Sequence, residues 1–320
     1  MTTTFRTATA ADEPALFALW DQCFAASHLP DLYTMDADRH RRTFVAETDG
    51  GIDAVVVYVP RLIRDAHGTP QRVGGIGSVA TRPEARGQGL VRRLLVEAEQ
   101  VMRADGCAWS LLFTGTPGVY RGSGWQEFRR TYAEGTIAPA TAAAAPRFRI
   151  RPALPEDLPA VAGLHAVYNA TRPLTSVRTP EDWAVRVPAW YGRDTHALIA
   201  EDPVSGDPVG WIVARYVAQR DAAAAPAVAV TECALAADPG EALGELLAAV
   251  GDRARADGLT VARVRLPDTP DSRAALPRLL SDARTHEEWV GMTRPLTGAP
   301  EAIRETVTAA GATYWYGDSF

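Results

Sequence analysis

The chain has 320 residues, of which 47% are hydrophobic and 22% charged, the composition of a folded globular protein with room for roughly two domains of about 150 residues each. Its 33 basic and 39 acidic side chains leave a net charge of −6, which excludes a general electrostatic grip on nucleic acid or on an anionic membrane surface. Neither a signal-peptide pattern nor an apolar window of membrane-span length stands out, so the sequence reads as a cytoplasmic protein. All 33 basic side chains are arginine and Asn169 is the one asparagine, a bias that fits a GC-rich bacterial genome rather than any chemistry. Cys23, Cys107 and Cys233 lie far apart with no His or Cys at ligand spacing; they read as reduced thiols, and no metal is expected.

In chain order, TFRTATAADEPALFALWDQCF gives a short β-like run, an acidic turn and an amphipathic helical stretch. Strand-like apolar runs follow at Thr43 to Glu47, Ile52 to Val59 and Val73 to Thr81. The segment Thr81 to Leu95, TRPEARGQGLVRRLL, then turns a strand into a helix with an apolar face of Leu90, Leu94, Leu95 and Ala98. Gly87 and Gly89 permit close backbone approach, and the first helical turn leaves amide N–H groups unpaired at the positive end of the dipole. With Arg82, Arg86, Arg92 and Arg93 alongside, this is a pyrophosphate cradle. It is neither a G-x-G-x-x-G dinucleotide fingerprint nor a Walker A loop, which ends in GK[ST]. A further strand, Ala108 to Thr114, leads into the glycine-rich stretch Gly115 to Trp125 around Tyr120.

From Thr136 to Pro146 the periodicity gives way to small residues and proline, which places a linker at 139–147 between domains 1–138 and 148–320. After it the order repeats. FRIRPALPEDLPAVAGLHAVY echoes the amino terminus, and strand-like runs recur at Ala197 to Glu201, Val209 to Val217, Ala227 to Ala236 and Thr260 to Leu266. The counterpart of the cradle, Ala237 to Leu247, keeps the helix but carries Glu241 and Glu245 instead of arginine and glycine. Carboxylates at a helix amino end compete with phosphate for the same field, so no second phosphate site is expected.

Arg86 to Val91 resembles the Q/R-x-x-G-x-G/A motif of the GNAT superfamily of acyl-CoA-dependent N-acyltransferases, with Val91 where Gly or Ala is usual. The longer stretch VGGIGSVATRPEARGQGLVRRLL is similar to Eis-type members. The resemblance implies an α/β fold of two tandem GNAT domains, each a mixed, mostly antiparallel sheet flanked by helices, with the second domain degenerate. It also implies acetyl-CoA as co-substrate, held by Val79, Ala80 and Thr81 along the pantetheine arm and by Arg86, Gly87, Gln88, Gly89, Leu90, Val91 and Arg92 around the pyrophosphate. Tyr120, followed by Gly124-Trp125, matches the family's proton donor to the departing thiolate, and a phenol near pKa ~10 is protonated for that task at neutral pH.

The base is less evident. No carboxylate occurs between Val73 and Thr81, and Asp21, His28, Asp31 and Asp36 read as solvated polar residues with no base assigned among them. Glu232, on the third strand of the second half, stands where some members of the family place a base, but reads as a partnered structural carboxylate. Eis-type enzymes, which the chain resembles, use a C-terminal carboxylate; the aromatic tail Ala312 to Phe320 implies the same role for Phe320, with Asp318 as the nearby substitute. The expected activity is acetyl-CoA-dependent N-acetylation of an amine on a small molecule or peptide. Non-catalytic acyl-CoA binding and transfer of longer acyl groups are the alternatives.

Overall fold

The computed structural model describes residues 2–24, 29–140, 146–191, 195–217, 226–237, 241–288 and 290–320. The first half forms β1 (Thr4–Thr7), α1 (Glu13–Cys23), α2 (Leu29–Thr34), β2 (Thr43–Thr48), β3 (Gly51–Arg64), β4 (Pro70–Thr81), α3 (Leu90–Ala104), β5 (Trp109–Thr114), β6 (Gln126–Phe128) and β7 (Thr131–Thr136). The second forms β8 (Arg149–Pro152), α4 (Leu158–Tyr168), α5 (Val187–Tyr191), β9 (Thr195–Glu201), β10 (Pro208–Val217), β11 (Ala227–Leu235), α6 (Ala242–Ala256), β12 (Val261–Val264), α7 (Pro270–Ala275), β13 (Arg284–Glu287), β14 (Val290–Pro295) and α8 (Pro300–Thr308). Among the described residues no helix is long and apolar enough to cross a membrane.

The strands make two seven-stranded sheets, ordered β1-β2-β3-β4-β5-β14-β6 and β13-β7-β12-β11-β10-β9-β8. Both are mixed and mostly antiparallel. In each, one parallel pair, β4 with β5 and β11 with β12, is bridged by the long helix that a parallel connection needs, α3 and α6 respectively. This is the duplicated α/β architecture read from the sequence.

The strands do not divide at the expected linker, of which residues 141–145 lie outside the described residues. Strand β7, from the first half, sits in the second sheet between β12 and β13; β14, from the second half, sits in the first between β5 and β6. Each half opens its last hairpin and gives one strand to the other sheet. The expected boundary between 1–138 and 148–320 does not coincide with a division between the sheets. A cut there would strip each sheet of an interior strand and leave unpaired backbone on both sides of the gap.

The weak sequence repeat has a physical basis. Arg6 on β1 pairs with Asp12 (2.7 Å) and Glu47 (2.8 Å), while Arg151 on β8 pairs with Asp157 and Glu201 (both 2.6 Å). In each half the aspartate also accepts a backbone N–H three residues before it, from Thr9 and Leu154. Helix α3 buries Leu90, Val91, Leu94, Leu95, Ala98 and Met102, the stripe of a helix lying on a sheet. Gly74 of β4 makes room for it: a Cβ there would meet the Met102 sulfur at 2.3 Å.

Candidate active site

The sequence Arg86-Gly87-Gln88-Gly89 forms the loop between β4 and α3. Gly87 (φ +78°) and Gly89 (φ +76°) are both left-handed, a conformation that other residues adopt only at a cost, and Gly89 caps α3. A Cβ built on either would meet no atom within 4 Å, so the loop faces open space. No side chain caps α3 and no acidic residue stands in its first turn. Its orphan N–H groups are left for an external anion, with Arg86 and Arg92 exposed alongside. Arg93 is engaged by Glu97 (2.9 Å) and lies over the Phe5 ring. The departure at Val91 is explained by packing: with Leu90 it is buried in the core that also holds Tyr120 and Trp125. These residues fit the pyrophosphate of an acyl-CoA.

Strand β4 is paired with β5 only from Val73 to Gly75, although it continues to Thr81 and β5 to Thr114. Beyond Gly75 the two strands part. In the same stretch β4 carries a bulge: Val57 pairs with Gly77 and Val55 with Ala80, so Ser78 and Val79 have no partner on β3. Ser78 takes a left-handed φ of +51°, and its carbonyl is held by the Trp20 indole N–H (2.9 Å). Ala80 and Thr81 return to β3 on one side and have no strand paired on the other, where an extended amide-bearing arm can add; the Thr81 carbonyl there accepts from Arg86 Nε (3.4 Å).

The tail fills the opening at its closed end. A Cβ on Gly75 would fall 2.1 Å from the Phe320 ring, and one on Gly77 would fall 2.8 Å from the Phe320 main-chain oxygen. The ring stacks on Phe113 of β5 (centroids 6.1 Å apart, planes 10° apart) and leans on Tyr314 (5.3 Å). Phe320 thus bridges the parted strands with its carboxyl toward the bulge. Among the described residues no arginine or histidine lies within ion-pair distance of that carboxyl.

Tyr120 follows β5 through the turn Pro117–Val119 and packs edge-on against Trp125 (6.0 Å). Burial pushes its hydroxyl up to about 12, so it is protonated throughout the neutral range. The loop is held from the other half: Arg294 on β14 ties Glu99 of α3 (2.7 Å) to the Ser123 carbonyl, and a Cβ on Gly124 would collide with its guanidinium. Asp21 and Asp31 are exposed, Asp36 is paired with Arg42 (2.9 Å), and His28 lies outside the described residues.

In the second half the corresponding helix end also has no side-chain cap, but its first turn carries a glutamate. Glu245, in the first turn of α6, accepts the backbone N–H groups of Arg147 (2.8 Å) and Phe148 (3.1 Å); Asp238, Pro239 and Gly240 lie outside the described residues. Glu232 is fully buried against Arg178. A cavity of about 430 Å³ lies between α4 and residues 176–183, and none of its lining residues belongs to the loop or the opening. Among the described residues no group of His, Cys, Asp or Glu could hold a metal.

Sequence reasoning missed the receptor for the tail. Its signal was present: Gly75 and Gly77 stand two apart in a strand and so share a face, and paired glycines there mark close approach by another backbone.

Residues 4–128 match the family model described as an acetyltransferase (GNAT) domain. No curated protein matches the chain. Among solved structures, a GCN5-related N-acetyltransferase from Anabaena variabilis ATCC 29413 is similar over 92% of this chain and 73% of its own, at 16% identity and a TM-score of 0.69. Eis1 from Mycobacterium abscessus is similar over 92% and 74%, at 16% identity and 0.62. The N-myristoyltransferase of Saccharomyces cerevisiae with bound myristoyl-CoA is similar over 97% and 89%, at 12% identity and 0.61. At these identities the likeness is one of fold.

Proposed function

We propose that this chain, whose residues 4–128 belong to the GNAT acetyltransferase family, moves an acetyl group from acetyl-CoA to an amine of a small molecule or peptide. The observation that carries the reading is the meeting, in the first half, of an open, uncapped α3 with a parted β4–β5 pair into which a carboxyl group projects. The loop from Arg86 to Arg92 holds the pyrophosphate. Val79 to Thr81 hold the pantetheine arm by their free edge, which aims the thioester at the bulge.

An amine arrives largely as ammonium and must lose a proton before it attacks. The Phe320 carboxylate takes that proton. The nitrogen then bonds to the thioester carbon while the backbone N–H at the bulge faces the oxygen where charge develops. As the carbon–sulfur bond breaks, Tyr120 gives its proton to sulfur, and the second proton of the nitrogen restores the phenol. The rings of Phe320, Phe113 and Tyr314 fill the opening behind the carboxyl, which favours a short acyl group. The net charge of −6 suits a cationic acceptor.

CoA release measured over a panel of amines with acetyl-, propionyl- and longer acyl-CoA tests the reading. Turnover fastest with acetyl-CoA is the expected result. Tight CoA binding with no turnover on any amine favours a non-catalytic acyl-CoA-binding role, and faster turnover of a long chain moves the reading to longer acyl transfer.

A further inference from the structure

The second sheet repeats the local geometry of the first where the first keeps its opening. Strand β11 is paired with β12 only from Ala227 to Val230, and its pairing with β10 skips Thr231. The bulge follows directly on the end of parallel pairing at Val230, whereas in β4 it lies beyond Gly77, a little past the last pair at Gly75. In the second sheet this place holds the tail: the turn Tyr316–Asp318 packs against β11. A Cβ on Gly317 would fall 2.9 Å from the Tyr191 hydroxyl.

The tail is fastened there by one guanidinium. Arg178, with a side chain 1% exposed, meets Glu232 through both terminal nitrogens (2.7 and 2.9 Å) and Asp318 through Nε (2.7 Å). Glu232 is held in turn by His165 (3.2 Å) and the Tyr191 hydroxyl. Around this fork the Tyr314 hydroxyl donates to the Asp318 carbonyl (2.6 Å), and Arg186 donates to the Ser319 carbonyl (3.2 Å). The Trp315 indole donates to the side chain of Asn169 (3.0 Å).

We propose that Arg178, oriented by Glu232, is the positioning residue for the Phe320 carboxylate: through Asp318 it sets how far the tail runs into the opening between β4 and β5. The proposal rests on the reading of that carboxylate as the base. Two residues beyond Asp318 span at most about 7 Å, too short a tether to absorb a shift, so a displacement at Asp318 reaches Phe320. A planar fork fixes direction as well as distance, which a lysine would not. Stability gives no reason to bury such a triad, because apolar residues of the same volume usually serve as well or better. In this account the degenerate half keeps the strand geometry of a GNAT site and uses it to hold the other site's base.

The test compares the full chain with Arg178→Lys, Asp318→Asn, a version carrying Gly-Ser after Phe320, and that extension combined with Asp318→Asn. Release of Phe320 by carboxypeptidase A is followed by intact mass. kcat and the KM for acetyl-CoA are measured with the fastest amine of the panel, and Tm is recorded beside them. Both single variants should release Phe320 about tenfold faster and lose about tenfold or more in kcat, with the acetyl-CoA KM within about twofold. Adding Asp318→Asn to the extended chain should cost almost nothing more. Unchanged release and kcat in Asp318→Asn beside a crippled extended chain overturn the clamp alone, as do losses that multiply. An extended chain with full kcat overturns the base reading, and the proposal with it.

Discussion

Phe320 lies so close to Gly77 that no side chain fits between them: a Cβ on Gly77 would fall 2.8 Å from the Phe320 oxygen and 2.9 Å from its carbonyl carbon. The glycine belongs to the strand that carries the bulge and the phenylalanine to the tail that the second half anchors. The candidate base is thus delivered to one domain by the other.

Gly75→Val and Gly77→Val should each lower kcat by about tenfold or more while leaving the acetyl-CoA KM nearly unchanged. The atoms that a new side chain meets are those of the tail's last residue, so the tail gives way before the core does. Overpacking of this kind costs about 1–3 kcal/mol, which a thermal melt reads as a shift of a few degrees. Wild-type turnover in both variants would show that the tail's position is irrelevant.

Gly89→Trp should abolish CoA binding. A tryptophan would fill the open space around Gly89, where the proposed phosphate site lies, and a left-handed φ in a residue with a Cβ adds about 1–2 kcal/mol of strain. Calorimetry on the wild type should return one CoA per chain, because the first turn of α6 carries the acidic Glu245 where that of α3 carries no acidic residue. Two sites, or binding that survives the substitution, contradicts this.

Tyr120→Phe removes the proton donor and keeps the ring, so kcat should fall by about 10²–10⁴-fold with acetyl-CoA affinity intact. Burial raises the hydroxyl to about 12. The acid therefore stays loaded as pH rises past about 10, where an exposed tyrosine would begin to ionise. In the wild type kcat should show no loss assignable to this group up to about pH 10.5. An undiminished kcat in the variant, measured where chemistry limits the rate, returns Tyr120 to a packing role.

The succession of strands and the glycine turn that starts α3 were legible because each rests on local chemistry: alternation, glycine at a turn, an apolar stripe at helical spacing. The repeat was legible because Arg6 and Arg151 stand at the same place before an aspartate. The exchange of β7 and β14 was not, since strand choice is decided by pairing at long range and nothing in Thr131–Thr136 says which sheet it joins. The same holds for Arg178, Glu232 and Asp318, three charges far apart in the chain whose meeting depends on where the tail crosses β11. Asn169, one residue among many polar ones in the sequence, has a definite task once Trp315 is seen to donate to it.

Glu232 gives a stability test. Burial alone would raise its carboxyl, but the charge of Arg178, with His165 3.2 Å away, outweighs that and holds it well below the usual carboxylate range, at about 2. A depressed acid stabilises the fold fully above its unfolded value, near about 4.3, and that contribution fades as pH falls toward about 2. Glu232→Gln should cost about 3–5 kcal/mol at neutral pH, because it leaves Arg178 less compensated. The gap in Tm between variant and wild type should narrow from pH ~6 to pH ~2.5. A constant gap would mean that Glu232 does not ionise as described.

The most direct measurement is turnover by a chain that carries Gly-Ser after Phe320, beside the unextended chain with intact mass recorded for both. The extension leaves Phe113, Tyr314 and the loop at Gly87–Gly89 untouched and replaces a carboxylate by an amide, which cannot take the amine's proton. The account predicts unchanged CoA affinity and Tm with kcat reduced by about 10²-fold or more, least severely at high pH, where the amine arrives already deprotonated. Full turnover by the extended chain, with the pH profile of the unextended one, contradicts it.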